Sequence, residues 1–406
     1  MLNLTRLWCG APTPGDDLRY GEARHSAGQP LVTHVHQRPV VVWNSTLQCN
    51  LHCVHCYMAA RERPDPKELD IRAAFQVVDQ LAAYRIPVLL LSGGEPLARP
   101  DALNIVTYAV TKGLRVGLST NGTLLTPLAV QQLKQSGVTY VGVSIDGPEA
   151  LNDKFRGTRG AFKLALEGIR NARAEGFRVS LRFTLTNYNH QYLGAIFDLV
   201  ERERIPRLCV YHLAYAGRGA RISSRADLTH EQTRAAVDLC VERTEYLQRK
   251  GLNAEVLTVD NHADAVYTAL RLLNERPAQA SDGLAILRRN GGNSSGVGIG
   301  AIGPKGDVHA DQFSHHRSFG NVQERPFAAI WEDMTHPMMA GLKACPRPLN
   351  GRCASCPALE LCNGNLRVRA EMATGDAWAP DPACYLTNSE LATVGEALRG
   401  SSGGPA

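Results

Sequence analysis

Three closely spaced cysteines near the start of the chain restrict its fold and chemistry most strongly. Cys49, Cys53 and Cys56 are separated by three and two residues, and they follow the apolar run at 40–43. Three thiols on one short loop can hold three irons of a four-iron cluster and leave the fourth iron open to a chelating ligand. By spacing alone, a zinc site that takes its fourth ligand from His52 or His55 stays open. A disulfide is a poor explanation, because three thiols leave one over.

Composition limits the class of protein. The 406 residues suffice for one large α/β barrel with an appended domain, and the net charge of +5 suits an anionic small molecule better than a nucleic acid. Eleven cysteines are many for a reducing compartment unless most of them bind metal. No apolar run approaches the roughly 20 residues that span a bilayer, and the N-terminus lacks a signal-peptide pattern. We therefore expect a cytoplasmic protein with neither a membrane nor a nucleic-acid partner.

Short apolar segments alternate with longer segments of helical periodicity between residues 40 and 213. This alternation predicts repeated βα units and a parallel sheet. Because six units are fewer than the eight of a closed barrel, we expect an α/β fold with a partial (β/α)6 barrel of the TIM type. The predicted strands are 40–44, 87–92, 115–119, 140–145, 178–185 and 208–213, and the helices between them are 71–84, 102–111, 127–136, 161–175 and 192–203.

The remaining segments predict a division of the chain into five parts. They are an irregular lead-in at 1–38, the barrel at 39–220, a helical linker at 221–300, a cysteine-rich auxiliary Fe–S domain at 301–390 and a flexible tail at 391–406. Within the linker, helices are predicted at 229–250 and 261–274. The glycine-rich residues 291–306 are predicted to form turns.

Glycines and polar residues follow the predicted strands at their carboxyl ends. These residues are Gly93, Gly94, Glu95 and Pro96 after the second strand, Ser119 and Asn121 at the third, and Ser144 and Asp146 at the fourth. In barrels of this type the chemistry lies at that end of the strands, so we expect one site together with the cysteine loop. Asn121 with Gly122, and Asp146 with Gly147, fit ordinary turns about as well.

The cysteine spacing combined with the segment 93–96 resembles the radical SAM superfamily over about residues 38–215. The resemblance implies that Cys49, Cys53 and Cys56 bind a 4Fe–4S cluster chelated by S-adenosylmethionine (SAM). It also implies a 5′-deoxyadenosyl radical that abstracts hydrogen from the substrate, after reduction by a low-potential donor such as flavodoxin or ferredoxin. His52 and His55 are then expected to shape the surroundings of the cluster rather than to bind iron.

The same resemblance assigns residues to SAM. Gly93 and Gly94 would let the backbone approach the SAM ammonium group, Glu95 would offer a carboxylate and Pro96 would stiffen the turn. Further SAM contacts are implied for Ser119, Asn121 and Ser144, towards the ribose or carboxylate, and for Arg182, towards the carboxylate.

A second group of cysteines lies near the C-terminus. Its members are Cys353, Cys356, Cys362 and Cys384, with Cys345 preceding them. Zinc or a second 4Fe–4S cluster would fit such thiols. The pattern resembles the auxiliary-cluster extension of the SPASM and twitch subfamilies, but no thiol closely follows Cys362 as it does in full SPASM domains. The resemblance therefore implies one auxiliary 4Fe–4S cluster on Cys353, Cys356, Cys362 and Cys384, with Cys345 a spare or substitute ligand.

Several further stretches resemble the NirJ family, the radical SAM enzymes of haem d1 biosynthesis. They include 91–97, 182–186, 215–219, 319–322, 362–369, 374–378 and 381–385. The resemblance implies a didecarboxysirohaem-type tetrapyrrole substrate from which propionate side chains are removed. The opening residues 7–10 and 18–21 are more similar to relatives on the alternative haem pathway, which act on the same class of substrate.

Cationic groups and a histidine would suit such a substrate, a flat polycarboxylate with a central iron. The candidates are His309, His315, His316, Arg317, Arg218 and Arg221. A peptide maturase with the same core is an alternative, although residues 1–38 are short for a leader-peptide module. A non-catalytic Fe–S or zinc scaffold is a third hypothesis, but a scaffold has no need of a SAM site.

Overall fold

The computed structural model describes residues 1–20 and 38–400. Most of the predicted lead-in beyond Tyr20, and the end of the predicted tail from 401, lie outside the described residues. Ten strands are present in the described part: β1 Leu2–Asn3, β2 Val40–Asn44, β3 Leu89–Ser92, β4 Val116–Thr120, β5 Tyr140–Ser144, β6 Arg178–Leu185, β7 Arg207–His212, β8 Glu255–Val259, β9 Ile299–Ile302 and β10 Val308–His309.

The helices alternate with the strands through the barrel and then dominate the rest of the chain. They are α1 Leu4–Cys9, α2 Asp16–Tyr20, α3 Ile71–Ala83, α4 Ala102–Thr111, α5 Pro127–Gln135, α6 Glu149–Arg156, α7 Ala161–Ala174, α8 Leu193–Arg202, α9 Gly217–Ala226, α10 His230–Arg249, α11 Ala263–Glu275, α12 Pro277–Asn290, α13 Phe327–Trp331, α14 Pro337–Lys343, α15 Gly351–Ala354, α16 Leu359–Cys362, α17 Arg367–Thr374 and α18 Asn388–Gly400. Short 3-10 helices occur at Pro96–Ala98 and His190–Tyr192. None of the described helices is long and apolar enough to cross a membrane.

All ten described strands belong to one mixed sheet with the order β1-β8-β7-β6-β5-β4-β3-β2-β9-β10. The six strands predicted from the sequence are β2 to β7, and they lie side by side in parallel, which confirms the α/β fold with a partial barrel. β8 and β9 extend the parallel set at either side, and β1 and β10 pair antiparallel at the two edges.

The extra strands lie in segments for which the sequence predicted other structure. β8 falls inside the predicted linker, where an entirely buried five-residue strand is too short to stand out among long helices. β9 falls inside residues 291–306, which were predicted to be turns. Its Gly300 is required by packing, since a Cβ there would lie 2.5 Å from the Trp331 ring. A glycine that marks close packing was therefore misread as a glycine that marks a turn.

Both ends of the described chain are also more ordered than the sequence predicted. Asn3 accepts the Arg6 N–H and caps α1, whose apolar side chains are buried. Residues 391–400, predicted as part of a flexible tail, belong to α18. The helix buries Leu391, Val394 and Leu398, which recur at helical spacing on one face.

Alternate residues of the parallel strands face the space that the curved sheet encloses, as the two-residue period of a strand requires. The lining includes Val42 of β2, Tyr140 of β5, Arg182 of β6 and Tyr211 of β7. The helices cover the outer face, where α3 for example buries a stripe of Ala74, Val77, Val78 and Leu81. The enclosed space opens at the carboxyl ends of the parallel strands, and the predicted site residues lie at that end.

Candidate active site

One cavity lies at the carboxyl ends of β2 to β7 and brings most of the predicted site together. It is lined by Cys49, Cys53, Cys56, Gly93, Gly94, Ser119, Asn121, Ser144 and Arg182, among others. Glu95 and Pro96 are buried behind this lining. Tertiary structure thus places the cysteine loop and the ends of four further strands around one space.

Two thiols of the cysteine loop, those of Cys49 and Cys53, are buried, and the thiol of Cys56 is half-buried. Burial raises the pKa of the Cys49 thiol to about 12 and also raises the pKa of Cys53. Thiolates at these positions therefore need a positive partner such as iron to offset their desolvation. Nearby donors also face the sulfurs: Leu51 N to Cys49 at 3.4 Å, Ala60 N to Cys56 at 3.4 Å and Arg156 Nη1 to Cys53 at 3.7 Å.

Asp146 takes part in a buried ion-pair network beside this loop and does more than form a turn. Its Oδ2 lies 2.5 Å from Arg156 Nη2 and 3.4 Å from His55 Nε2. Arg156, at the end of α6, reaches from Asp146 to the Cys53 sulfur. His55 thus faces a carboxylate. Arg156 could not be recognised from the sequence, since its partners are distant along the chain.

The glycines of the segment 93–96 are required by the cysteine loop itself. A Cβ at Gly93 would lie 2.5 Å from Thr46 O, and a Cβ at Gly94 would lie 2.2 Å from Gln48 O. Gly94 N donates to Thr46 O at 2.7 Å, and Glu95 N donates to Gln48 O at 2.7 Å. The segment therefore packs directly on the start of the loop that carries the thiols.

The Glu95 carboxylate points away from the cavity, in contrast to the role towards SAM that the resemblance implied. It accepts the Asn121 N–H at 2.8 Å, the Leu97 N–H at 3.1 Å and the Thr120 hydroxyl at 2.8 Å. Burial raises the pKa of Glu95 to about 7, although these hydrogen bonds lower it in part. Glu95 holds the end of β4 against the segment 93–96, and the Gly93 and Gly94 positions line the cavity.

Arg182 and Ser119 are in direct contact in the wall of the cavity. Arg182 Nη1 donates to the Ser119 hydroxyl, and Nη2 lies 3.5 Å from the Tyr140 hydroxyl. Room for the guanidinium comes from Gly142, where a Cβ would lie 2.5 Å from Arg182 Nε. That Nε is buried and has no hydrogen-bond partner among the described residues.

Asn121 links the end of β4 to the cysteine loop. Its Nδ2 donates to Asn50 Oδ1 at 2.9 Å and lies 3.8 Å from Cys49 Sγ. Its Oδ1 accepts the Thr123 N–H at 2.9 Å, which is the geometry of an Asx turn. Asn121 is therefore both a turn residue and part of the cavity wall.

Arg218 belongs to the cavity and Arg221 does not. Arg218 donates to Cys53 O and to Ala60 O, each at 2.7 Å, so it clamps two points of the cysteine loop. Its Nη2 is buried without a partner in the described part of the chain. Arg221 is exposed on α9. The clamp depends on Gly217, where a Cβ would lie 2.3 Å from Tyr57 O.

These features fit an anionic group and a cluster. Arg156, Arg182 and Arg218 line this region, and each has a buried nitrogen without a partner in residues 1–20 and 38–400. The three thiols of the cysteine loop, two of them buried, line the same region. In the same residues, no three His, Cys, Asp or Glu side chains converge on the position of one metal ion. The assignment to a cluster therefore depends on the placement of the thiols and on the family.

The four C-terminal cysteines assigned to the auxiliary cluster line a common small cavity. Cys353, Cys356, Cys362 and Cys384 surround it together with residues of α11 and α18. Burial raises the pKa of each of these thiols. Arg367 stands close enough to lower the pKa of Cys353 and Cys362 in part, and its Nη2 is buried without a partner in the described residues. Cys345 is exposed and lies outside this cavity.

The histidines proposed for the substrate form a separate group beside the cysteine loop. His309 and His315 pack edge to face with ring centroids 5.5 Å apart, and His315 stacks on Tyr57 at 5.8 Å. Burial lowers the pKa of His315 to about 3. His316 pairs with Glu371 at 2.9 Å, and so does Arg317. His309, His315 and His316 line a cleft that shares Tyr57 with the main cavity, whereas Arg317 does not line this cleft.

Two cavity residues were missed. The strand that carries His212 was predicted, but its partner Asp264 lies 52 residues away, and β8, which precedes Asp260, was not predicted. His212 ends β7 and lines the cavity. Asp260 directly follows β8 with a positive φ of 69°, a backbone conformation that is uncommon outside glycine. Burial raises the pKa of Asp260 to about 7. Its position at a strand end would have been the signal, had β8 been predicted.

Comparison with known proteins agrees with this geometry. Residues 43–200 match the radical SAM superfamily. The chain is 49% identical over 396 residues to the Fe-coproporphyrin III synthase of Methanosarcina barkeri, covering 96% of this chain and 99% of that protein. It is 40% identical over 370 residues to the pre-haem d1 synthase of Dinoroseobacter shibae, covering 90% of each. An AdoMet-dependent haem synthase of Methanosarcina barkeri is 32% identical, covering 85% of this chain and 95% of that protein.

Solved structures share the fold at low sequence identity. Streptococcus suis SuiB bound to its precursor peptide SuiA aligns with a TM-score of 0.67 and 17% identity, over 86% of this chain and 76% of that one. The structure of anSMEcpe with bound AdoMet aligns with a TM-score of 0.65 and 14% identity, over 90% and 100%.

The chain belongs to the radical SAM superfamily and is an enzyme of that class. Within the superfamily it is a NirJ-like member. As a radical SAM enzyme it uses SAM and a 4Fe–4S cluster, and its C-terminal cysteines are consistent with a second, auxiliary 4Fe–4S cluster.

Proposed function

We propose that this enzyme removes carboxylate-bearing side chains from an iron tetrapyrrole of the didecarboxysirohaem type. The observation that carries the proposal is the 49% identity to an Fe-coproporphyrin III synthase over nearly the full length of both chains. The 40% identity to a pre-haem d1 synthase supports the same class of substrate.

Two products are distinguished by the side chain that leaves. Iron coproporphyrin III keeps its propionates, so its formation from this substrate means the loss of acetate side chains. The haem d1 branch, expected from the sequence, means the loss of propionates. The higher identity and fuller coverage favour acetate loss and Fe-coproporphyrin III as the product.

An arginine of the enclosed space supports a ligand that carries carboxylate groups. Arg182 and Arg207 both stack on Tyr140, at 5.9 Å and 5.2 Å, and line the space below the cavity. Arg178 lines it further along, but Arg178 and Arg207 both pair with the Glu255 carboxylate. Arg182 has no carboxylate partner among the described residues, and a guanidinium group shielded from water favours a carboxylate, to which it donates paired hydrogen bonds.

We assign the residues around the main cavity as follows. Cys49, Cys53 and Cys56 hold the cluster, and Arg156 and Arg218 position their loop. SAM lies against Gly93, Gly94, Asn121 and Ser144, with Arg182 and Ser119 at its carboxylate. When bound, SAM and the reduced cluster supply a carbon radical that takes hydrogen from the substrate. The wall of buried side chains keeps water from that reaction.

Turnover of a defined substrate tests the proposal. The anaerobically reconstituted protein is incubated with didecarboxysirohaem, SAM and a low-potential donor, either flavodoxin or ferredoxin, and the tetrapyrrole is analysed by mass. We expect the mass of Fe-coproporphyrin III. Loss of propionate masses instead assigns the enzyme to the haem d1 branch. An unchanged tetrapyrrole beside released 5′-deoxyadenosine contradicts the proposal.

A further inference from the structure

A chain of three buried residues connects the main cavity with the auxiliary cysteines. His212 lines the cavity, and its Nε2 lies 2.9 Å from Asp264 Oδ2. The Tyr385 hydroxyl donates to the other oxygen, Asp264 Oδ1, also at 2.9 Å. Tyr385 directly follows Cys384. The three side chains belong to β7, to the first turn of α11 and to the C-terminal loop, so the contacts span two sites.

The Asp264 carboxylate determines which nitrogen of the His212 imidazole carries a proton. Asp264 is fully buried, and it can only accept hydrogen bonds when ionised. Its contact with Nε2 means that this nitrogen carries a proton, so Nδ1 is the nitrogen left for the cavity. No other described residue forms a hydrogen bond with the His212 ring. The Tyr385 hydroxyl holds the carboxylate in place from the opposite side.

The removal of a side chain from the substrate requires a proton source in the main cavity. For acetate loss, hydrogen is taken from the ring carbon next to the acetate-bearing carbon, the bond to the acetate group breaks as a ring double bond forms, and a carboxymethyl radical leaves. One electron and one proton convert this radical to acetate, which forms its new C–H bond and prevents the radical from adding back to the ring. The electron comes from the low-potential donor that the enzyme already needs. A protonated His212 can give the proton from Nδ1, after which it is neutral and keeps its Nε2 proton towards Asp264.

We propose that His212 donates this proton and that Asp264 and Tyr385 are positioning residues that orient it. The inference rests on the proposed function. It assigns a catalytic role to the end of β7 and explains why a buried carboxylate and a tyrosine beside the auxiliary cysteines are hydrogen-bonded towards the cavity.

The test compares product with 5′-deoxyadenosine in the holoenzyme. In His212→Gln we expect the ratio of product to 5′-deoxyadenosine to fall by about 100-fold, the usual contribution of a general acid. Tyr385→Phe should lower the product ratio by about threefold to tenfold, since it removes one of the carboxylate's hydrogen bonds. Tyr267→Phe is the matched control, because this ring packs 5.6 Å from Tyr385 but its hydroxyl donates to Asp238.

Two further measurements distinguish proton donation by His212 from binding of the substrate iron by this residue. In D2O, wild type should place one solvent deuterium in the methyl group of the released acetate, and acetate without it contradicts the inference. The optical spectrum of bound Fe-coproporphyrin III should be the same in wild type and His212→Gln. A shifted Soret band would make His212 an iron ligand and overturn the assignment. Equal product ratios in active wild type and His212→Gln contradict the inference alone, whereas wild type without side-chain loss contradicts the proposed function and the inference with it.

Discussion

Arg19 Nη2 lies 2.7 Å from Glu255 Oε1, and this contact fastens the N-terminal segment to β8 at the end of the enclosed space opposite the cysteines. Glu255 also pairs with Arg178 at 2.7 Å and with Arg207, so one buried carboxylate holds three guanidinium groups. The Thr13 hydroxyl donates to it as well. The interaction joins three parts of the chain that are far apart in sequence.

Glu255→Gln should therefore destabilise the protein by about 3–5 kcal/mol, because it leaves buried arginines without their counter-charge. The arginines hold the pKa of Glu255 below its usual value despite the opposing effect of burial. This stabilisation is present above the unfolded-state pKa and should be lost as the pH falls through the folded-state pKa. Urea unfolding of wild type and Glu255→Gln between pH 7 and pH 3 measures both the loss of stability and its dependence on pH. Glu275→Gln, in the exposed pair with Arg271, is the control and should cost about 0.5 kcal/mol or less.

Gly94→Ala should disrupt the cysteine loop, because the added Cβ would lie 2.2 Å from Gln48 O in the backbone. We expect reduced iron binding at the first cluster and stability lower by at least 2 kcal/mol, which is within the range for overpacking in a core. Gly194→Ala is the control, since nothing lies within 4 Å of its Cβ position in α8. Iron content and thermal unfolding measure the difference. A Gly94→Ala protein with normal iron content would contradict the argument.

Replacing Cys49, Cys53 or Cys56 by Ala should abolish SAM cleavage and lower bound iron from about eight to about four atoms per chain, by the ligation of two four-iron clusters. Cys240→Ala is a suitable control, because that thiol is buried in α10 among apolar side chains. Retained release of 5′-deoxyadenosine in any of the three variants would refute the assignment of these ligands.

Cys362→Ala and Cys384→Ala should lower bound iron by about half while SAM cleavage persists, because these thiols line the auxiliary cavity and not the main one. Cys345→Ala should keep the full iron content, since that thiol is exposed and lies outside the auxiliary cavity. Iron and zinc analysis is the measurement. Zinc in place of the second four irons would contradict the assignment of an auxiliary 4Fe–4S cluster to these cysteines.

Arg182→Lys should weaken SAM binding by about tenfold to 100-fold. The planar guanidinium group of Arg182 donates to Ser119 and has a further buried N–H on Nε, and the ammonium group of a lysine cannot reproduce this geometry. Equilibrium binding of SAM to the reconstituted protein measures this effect. Arg202→Lys on the surface of α8 is the control and should change nothing. Unchanged affinity in Arg182→Lys would remove Arg182 from the proposed SAM site.

Much of the main cavity could be predicted because its motifs are local. The thiol spacing, the segment 93–96 and the strand ends at Ser119 and Ser144 are each readable within a few residues. The role of Glu95 could not be read in this way, because its partners Thr120 and Asn121 lie 25 and 26 residues away. The glycines were predicted for their closeness to a ligand, whereas the structure shows that the cysteine loop itself needs them.

The sequence by itself determined the cysteine loop, the rhythm of strands and helices and the second group of thiols, since each depends on spacing along the chain. Only the tertiary structure decided which side chains stand against those thiols. Arg156 meets Cys53 across 103 residues, and His212 meets Asp264 across 52. Such contacts form where strands from distant segments pair and where helices pack on them, so they follow from packing and buried charge and leave no local pattern.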